Sequence, residues 1–237
     1  MHAAQLLDLY RSDRHHGIAL EYGYDPRVAG LSILAIVHAL KGEKQSSAEF
    51  GQQAVDHARA MKHASSLAYA LMFACAMAAA MRSDSAEANR FGHELKILAK
   101  DQDSALWNAY SDVILGWSGD GNAEVISSAI NQLSQTARNP WRPFFQALCA
   151  DRYLRSGQRE EARSLLEEAL AAVDRTEERN WEAEICRLMG RLASDDTNIE
   201  EGAPQKWFRR SIKSASQSGA FELETRTRED LAALMNS

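Results

Sequence analysis

Seven histidines, 33 carboxylates and three cysteines give this 237-residue chain the raw material for metal or acid–base chemistry. Their spacing does not assemble it. His2, His15, His16, His38, His57, His63 and His93 form no HExxH pair and no His/Cys cluster at zinc-ligand spacing. No G-x-S-x-G elbow presents a serine nucleophile, and no GxxxxGK[ST] loop could cradle a nucleotide. Adjacent carboxylates recur at Glu160–Glu161, Glu167–Glu168, Glu177–Glu178 and Asp195–Asp196. Neighbours on a helix point about 100° apart, so such pairs make poor acid/base dyads and read as solvated charge. Cys75, Cys149 and Cys186 stand alone among apolar helix residues, which suits small core fillers in a reducing compartment better than a disulfide framework. The expectation is a protein without catalysis, cofactor or metal.

A second set of polar residues acquires meaning only from the elements that carry it. Ala, Leu, Glu, Arg and Gln dominate long stretches, prolines number four, and alternating β-branched runs are nearly absent, so the chain reads as all-α. Helix punctuation recurs about every 37 to 42 residues, the mark of stacked helical hairpins. The pairs are expected at 26–40 with 45–61, 66–82 with 85–99, 104–117 with 122–137, 141–155 with 158–174, and 181–193 with about 203–217. A last helix spans 221–235. Asp25–Pro26 reads as a cap followed by proline in the first turn, and Lys41–Gly42–Glu43, Ser83–Asp84, Ser118–Gly121 and Ser156–Gly157 read as turns. This is a loosely kept tetratricopeptide pattern, with helices longer than in the usual unit of about 34 residues. It predicts a right-handed α-α superhelix, a solenoid of about five hairpins (26–218) plus a capping helix (219–237), preceded by the remnant of an earlier hairpin (1–25). That remnant suggests a piece excised from a longer protein.

Small residues mark where paired helices should cross: Ala150, Ala162 and Ala169 in the fourth pair, with Leu31, Ala35, Ala54, Cys75, Ala88, Ala123 and Ile130 at matching places. Trp107 and Tyr153 fall at core-facing positions, while Trp141 and Trp181 should staple neighbouring hairpins. The first helix of each pair would line the concave side. That register points Asn108 and Asp112 inward from the third pair, Asp151 and Arg155 from the fourth, and Glu184, Arg187 and Arg191 from the fifth. Ser32, Ile36, Phe73 and Met77 would line an apolar end of the same groove. Such a face could clamp a peptide or protein partner through polar contacts and an apolar anchor. Alternatively, the charges pair with each other and hold the hairpins in register.

Net charge is −6 with no basic tail, which disfavours a nucleic-acid partner. Ala64–Met81 is free of charge, but its Ala and Ser content and its place in the repeat favour a buried helix over a membrane span. No secretory signal is visible in MHAAQLLDLYRSDRHH. A cytoplasmic protein, with a homodimer possible, is the expectation.

The segments Tyr22–Gly42, Ser66–Arg82, Leu106–Trp117 and Asn139–Leu192, in that order and spacing, resemble the C-terminal helical-repeat region of bacterial adenylate/guanylate cyclase-type and transcription-regulator-type ATPases. The resemblance spans about residues 2 to 235. In that family the cyclase and ATPase domains lie upstream of the repeats, so it implies a regulatory or docking role in signal transduction. The turn after Trp117 and the acidic loop Asp195–Gly202 are shorter than the family pattern. Self-association as a structural scaffold, or sensing of a small ligand, are the alternative functions.

Overall fold

The computed structural model describes residues 2–15, 17–119, 121–136, 140–176, 179–194 and 202–236. His16, Glu177–Glu178 and Asp195–Asp196 lie outside the described residues. Everything described is helix, turn or irregular chain, with no strand among the described residues. The helices are α1 (His2–Leu9), α2 (Ser12–His15), α3 (Ile18–Tyr22), α4 (Pro26–Leu40), α5 (Lys44–Met61), α6 (Ala64–Met81), α7 (Ser85–Asp101), α8 (Ala105–Ser118), α9 (Ala123–Thr136), α10 (Arg142–Arg155), α11 (Arg159–Thr176), α12 (Glu182–Ser194), α13 (Ala203–Ser218) and α14 (Phe221–Met235). They fall into two compact units, Met1–Gly119 and Asp120–Ser237. The expected third pair, α8 with α9, straddles that boundary.

Local chemistry sets the helix ends. The Asp25 carboxylate accepts from the backbone N–H groups of Arg27 and Val28 and caps α4, with Pro26 in the first turn. Asp84 caps α7 through Glu87 N, and Ser104 caps α8 through Trp107 N. Gly42 (φ 80°) and Gly157 (φ 77°) turn the chain between paired helices in the left-handed region that side chains disfavour.

In the first unit, α4 packs on α5, α6 on both of them, and α7 on α6 and α8. In the second, α10 pairs with α11, α12 with α13, and α13 with α14. There the first helices also meet across hairpins, α10 against α12 and α12 against α14. The crossing residues read from the sequence are buried: Ala54, Ala88, Ala150, Ala162 and Ala169 are fully enclosed. All three cysteines are buried and unpaired, and burial raises each thiol above its ordinary range. Trp141 and Trp181 sit 5.7 Å apart, and Trp181 lies 4.7 Å from Phe144, which ties α10 to the start of α12.

The helix α6 departs from regular winding: Ala70–Met77 is π-helical. It is also long and apolar enough to cross a membrane, but 78% of it is buried within the protein. Each π turn takes in an extra residue, so faces rotate relative to an α-helical register. Gly51 lets α5 approach this segment, because a Cβ there would sit 2.8 Å from the Ala74 carbonyl oxygen. One expectation is corrected here. Ser32, Ile36, Phe73 and Met77 do not line an open groove; all four are buried. The cause is that α4 is covered by α1, α5 and α6 together, while the π-wound stretch of α6 is covered along its whole length.

Close crossing has a measurable cost when it is blocked. A Cβ at Gly190 of α12 would meet the Phe208 ring of α13 at 2.6 Å, and Phe208 is itself buried. Gly190→Ala is expected to lower unfolding free energy by about 1–3 kcal/mol, measured by urea denaturation. An unchanged midpoint would show that α12 and α13 are not held this closely.

Candidate functional site

The seven residues expected to face inward divide between the two units, and each group is enmeshed in ion pairs. In the first unit the Lys96 ammonium of α7 donates to Asp112 at 2.6 Å, and the Asn108 amide donates to the other oxygen of Asp112 at 3.2 Å. Beside them runs a row of aromatic rings. Tyr24 stacks on Tyr69 at 4.4 Å between centroids, Tyr69 meets Phe73 at 4.6 Å, and Phe73 meets Tyr110 edge-on at 5.6 Å. Trp107 lies 5.6 Å from Tyr110. Phe73 is buried, whereas Tyr24 is exposed and Tyr69, Trp107 and Tyr110 are partly so. Burial, then the neighbouring phenols of Tyr24 and Tyr110, push the Tyr69 hydroxyl up to about 12.

In the second unit Asp151, Arg155, Glu184, Arg187 and Arg191 are brought together on the faces of α10 and α12. Asp151 of α10 is only 7% exposed and is held from two sides: Arg155, one turn on, binds one oxygen, and Arg191 of α12 binds the other at 3.0 Å. Arg187 is 5% exposed. Its Nε and Nη2 form a fork on both oxygens of Glu184 at 2.8 Å, and its Nη1 donates to Asp230 of α14 at 2.6 Å. Arg226 of α14 reaches Glu184 at 3.4 Å. Burial would raise the Glu184 carboxyl, but the guanidiniums of Arg187 and Arg226 outweigh it and bring it down to about 2. A separate group centres on buried Glu182, which accepts from Arg210 at 2.6 Å and from Arg179 at 2.9 Å.

Sequence reasoning missed Lys96, Arg226 and Asp230. Lys96 lies on a second helix, and α14 read as a terminal cap, so neither seemed to face inward. The only available signal was charge: Asp230 and Arg226 lie four residues apart and share a helix face.

Ser, His and Asp do converge elsewhere in the first unit. Asp25 accepts from the Tyr10 hydroxyl at 2.8 Å and faces His57 Nε2 at 3.2 Å, while its backbone N–H donates to Ser66 Oγ at 2.9 Å. Yet Ser66 is buried and bonds His63 at 2.8 Å, so no imidazole links the serine to the aspartate. Burial pushes the Asp25 carboxyl up, but hydrogen bonds from His57, Tyr10 and the Val28 N–H hold it below its ordinary value. This cluster ties α4, α5, α6 and the Tyr10 segment together.

No protein-family model matches the chain, and no curated protein matches its sequence.

Two groups of arginines are therefore separable by experiment. Arg187→Ala leaves Glu184 and Asp230 without their shared cation, and is expected to cost about 3–5 kcal/mol of stability. Arg155→Ala, 42% exposed, should cost no more than about 1 kcal/mol. Equal losses in chemical denaturation would refute the division.

The same network sets a pH dependence. The Glu184 carboxyl is lowered on folding, so its contribution is complete above its ordinary value of 4.5 and disappears as pH falls towards about 2. Across that window the wild-type unfolding free energy should fall by about 3 kcal/mol more than that of Glu184→Gln. Parallel pH curves would remove the carboxylate from this role.

Proposed function

We propose that this chain is a non-catalytic interaction module, a tetratricopeptide-like right-handed solenoid whose first helices offer a concave face to a peptide or protein. It acts in the cytoplasm as the regulatory part of a bacterial signalling ATPase or cyclase-like protein. The observation that carries the reading is the division of labour on the α10–α12–α14 face. Buried Arg187 and Asp151 hold the helices together, while Arg155 and Arg191 combine anchoring on Asp151 with 42% and 37% exposure. Polar side chains already fixed by neighbours bind a partner with less entropy loss than free ones. Three buried, unpaired thiols suit a reducing compartment, and the resemblance of the repeat segments supports the signalling context.

Selection of a random-peptide display library against the full chain tests this reading. A consensus sequence should emerge whose affinity drops roughly tenfold or more in Arg155→Glu, a substitution that leaves Arg191 on Asp151. If no consensus emerges, or if Arg155→Glu binds it as well as the wild type, the interaction face is wrongly assigned.

A further inference from the structure

A cavity of about 280 Å³ opens in the first unit between α5 and α7, with α6 as its floor. At about 30 Å³ per water molecule it has room for a guest the size of a free amino acid. The floor is Ala74 and Cys75, in the middle of the π-helical stretch Ala70–Met77. Such departures inside α-helices are frequent at functional sites. Gly51 of α5 lies over this floor, where a Cβ would come within 2.8 Å of the Ala74 carbonyl oxygen and 3.3 Å of Cys75 Sγ. The α5 wall therefore sends no side chain into that end of the cavity.

Charges of opposite sign stand on the two walls without meeting. On α5, Glu49 accepts from the Gln45 amide at 2.9 Å and has no cationic partner among the described residues. Gln52, one turn on, donates to Asp56 at 2.8 Å and keeps its carbonyl oxygen as an acceptor. On α7, Arg90 lies over the Phe91 ring at 3.9 Å. Its approach to Glu87 is 3.8 Å, beyond hydrogen-bond reach, and its side chain is 64% exposed. Glu87 is held instead by Arg82, which is 5% exposed and also donates to Ser47 Oγ at 2.5 Å. The inner pair is thus closed on itself, while the outer anion and the outer cation keep open hydrogen-bonding edges across one cavity.

We infer that this cavity binds a small zwitterion, a free amino acid with an uncharged side chain. The ammonium donates to Glu49 and to the Gln52 carbonyl, the carboxylate receives the fork of Arg90, and the side chain settles on Ala74 and Cys75. Stacking on Phe91 orders the guanidinium beforehand, which lowers the entropy lost on binding. The ionised groups around the cavity, Glu49, Arg82, Glu87 and Arg90, are two of each sign. A simple anion would face two carboxylates and a simple cation two guanidiniums, whereas a ligand bearing both charges gains on both walls. The site uses residues of the first unit and does not rest on the peptide-binding reading of α10, α12 and α14.

The experiment is isothermal titration calorimetry of the full chain with glycine, alanine, serine and valine. The tightest binder is then compared with its carboxamide, which lacks the negative charge, and its N-acetyl derivative, which lacks the positive one. Each derivative should lose roughly tenfold or more in affinity, and so should the parent amino acid in Glu49→Gln and in Arg90→Gln. Both side chains are exposed, so circular dichroism of the two variants should match the wild type. Arg155→Glu, in the second unit, should bind the amino acid as the wild type does. Absence of binding by all four amino acids, equal binding of the singly charged derivatives, or indifference to both substitutions overturns the inference. A loss in Arg155→Glu overturns it as well, by placing the ligand in the other unit. The peptide-display result stands or falls separately, because the two sites share no residue.

Discussion

Paired helices in this chain approach each other through alanine and glycine, and everything else is arranged around that proximity. Gly51 sits where a side chain would strike the Ala74 carbonyl, and Gly190 where one would strike the Phe208 ring. Between them Ala54, Ala88, Ala150, Ala162 and Ala169 are fully enclosed. Small residues let backbones close in, so the larger side chains at the flanks can interlock. They also leave little apolar area per crossing. The larger contribution comes from Leu31, Leu71, Leu95, Ile126, Leu166 and Leu188, which are likewise completely buried.

Close packing explains why charges that read as solvent-facing are drawn into the structure. When α10, α12 and α14 stand side by side, a residue on the shared face of one helix lies within reach of the next. Glu184 and Arg187 would be an ordinary surface pair on an isolated helix. Here Asp230 and Arg226 close over them, and water is excluded from Arg187. Burial of an ion pair carries a desolvation cost that only good geometry offsets. The fork on Glu184 and the third bond to Asp230 supply that geometry, and the less buried Arg155 and Arg191 lie at the edge of the network.

The Asp25 junction shows the same economy in the first unit. One carboxylate caps α4, receives the Tyr10 hydroxyl, and faces His57 of α5, while the adjoining N–H binds Ser66 of α6. Residue types that could support nucleophilic catalysis are consumed in fixing four segments to one another, and the connection that catalysis needs, serine to imidazole to carboxylate, is not made.

From residue 26 on, the helices, their ends and the crossing residues were legible from the sequence because their causes are local, whereas the three short helices of residues 2–22 were read only as the remnant of a hairpin. Asp25–Pro26, Ser104 and Gly157 act on backbone groups a few residues away, and the enclosed alanines follow from a spacing repeated along each pair. That Asp151, Glu184 and Arg187 lie on helix faces turned towards neighbouring helices was expected from the same repeat. The partners of those charges were not, since Arg187 meets Asp230 across 43 residues and Arg191 meets Asp151 across 40. Helical periodicity fixes what lies three or four positions away, but not how far one hairpin is rotated on the next. The π-wound stretch of α6 was hidden for a related reason: the stretch from Ala70 to Met77 has ordinary helix-forming composition, and its extra residue per turn is set by how α4, α5 and α7 pack around it. The sequence by itself determined the helices and their small-residue seams. Only the tertiary structure decided which charges are spent inside and which remain to be offered outside, because that depends on distances between helices and on the exclusion of water.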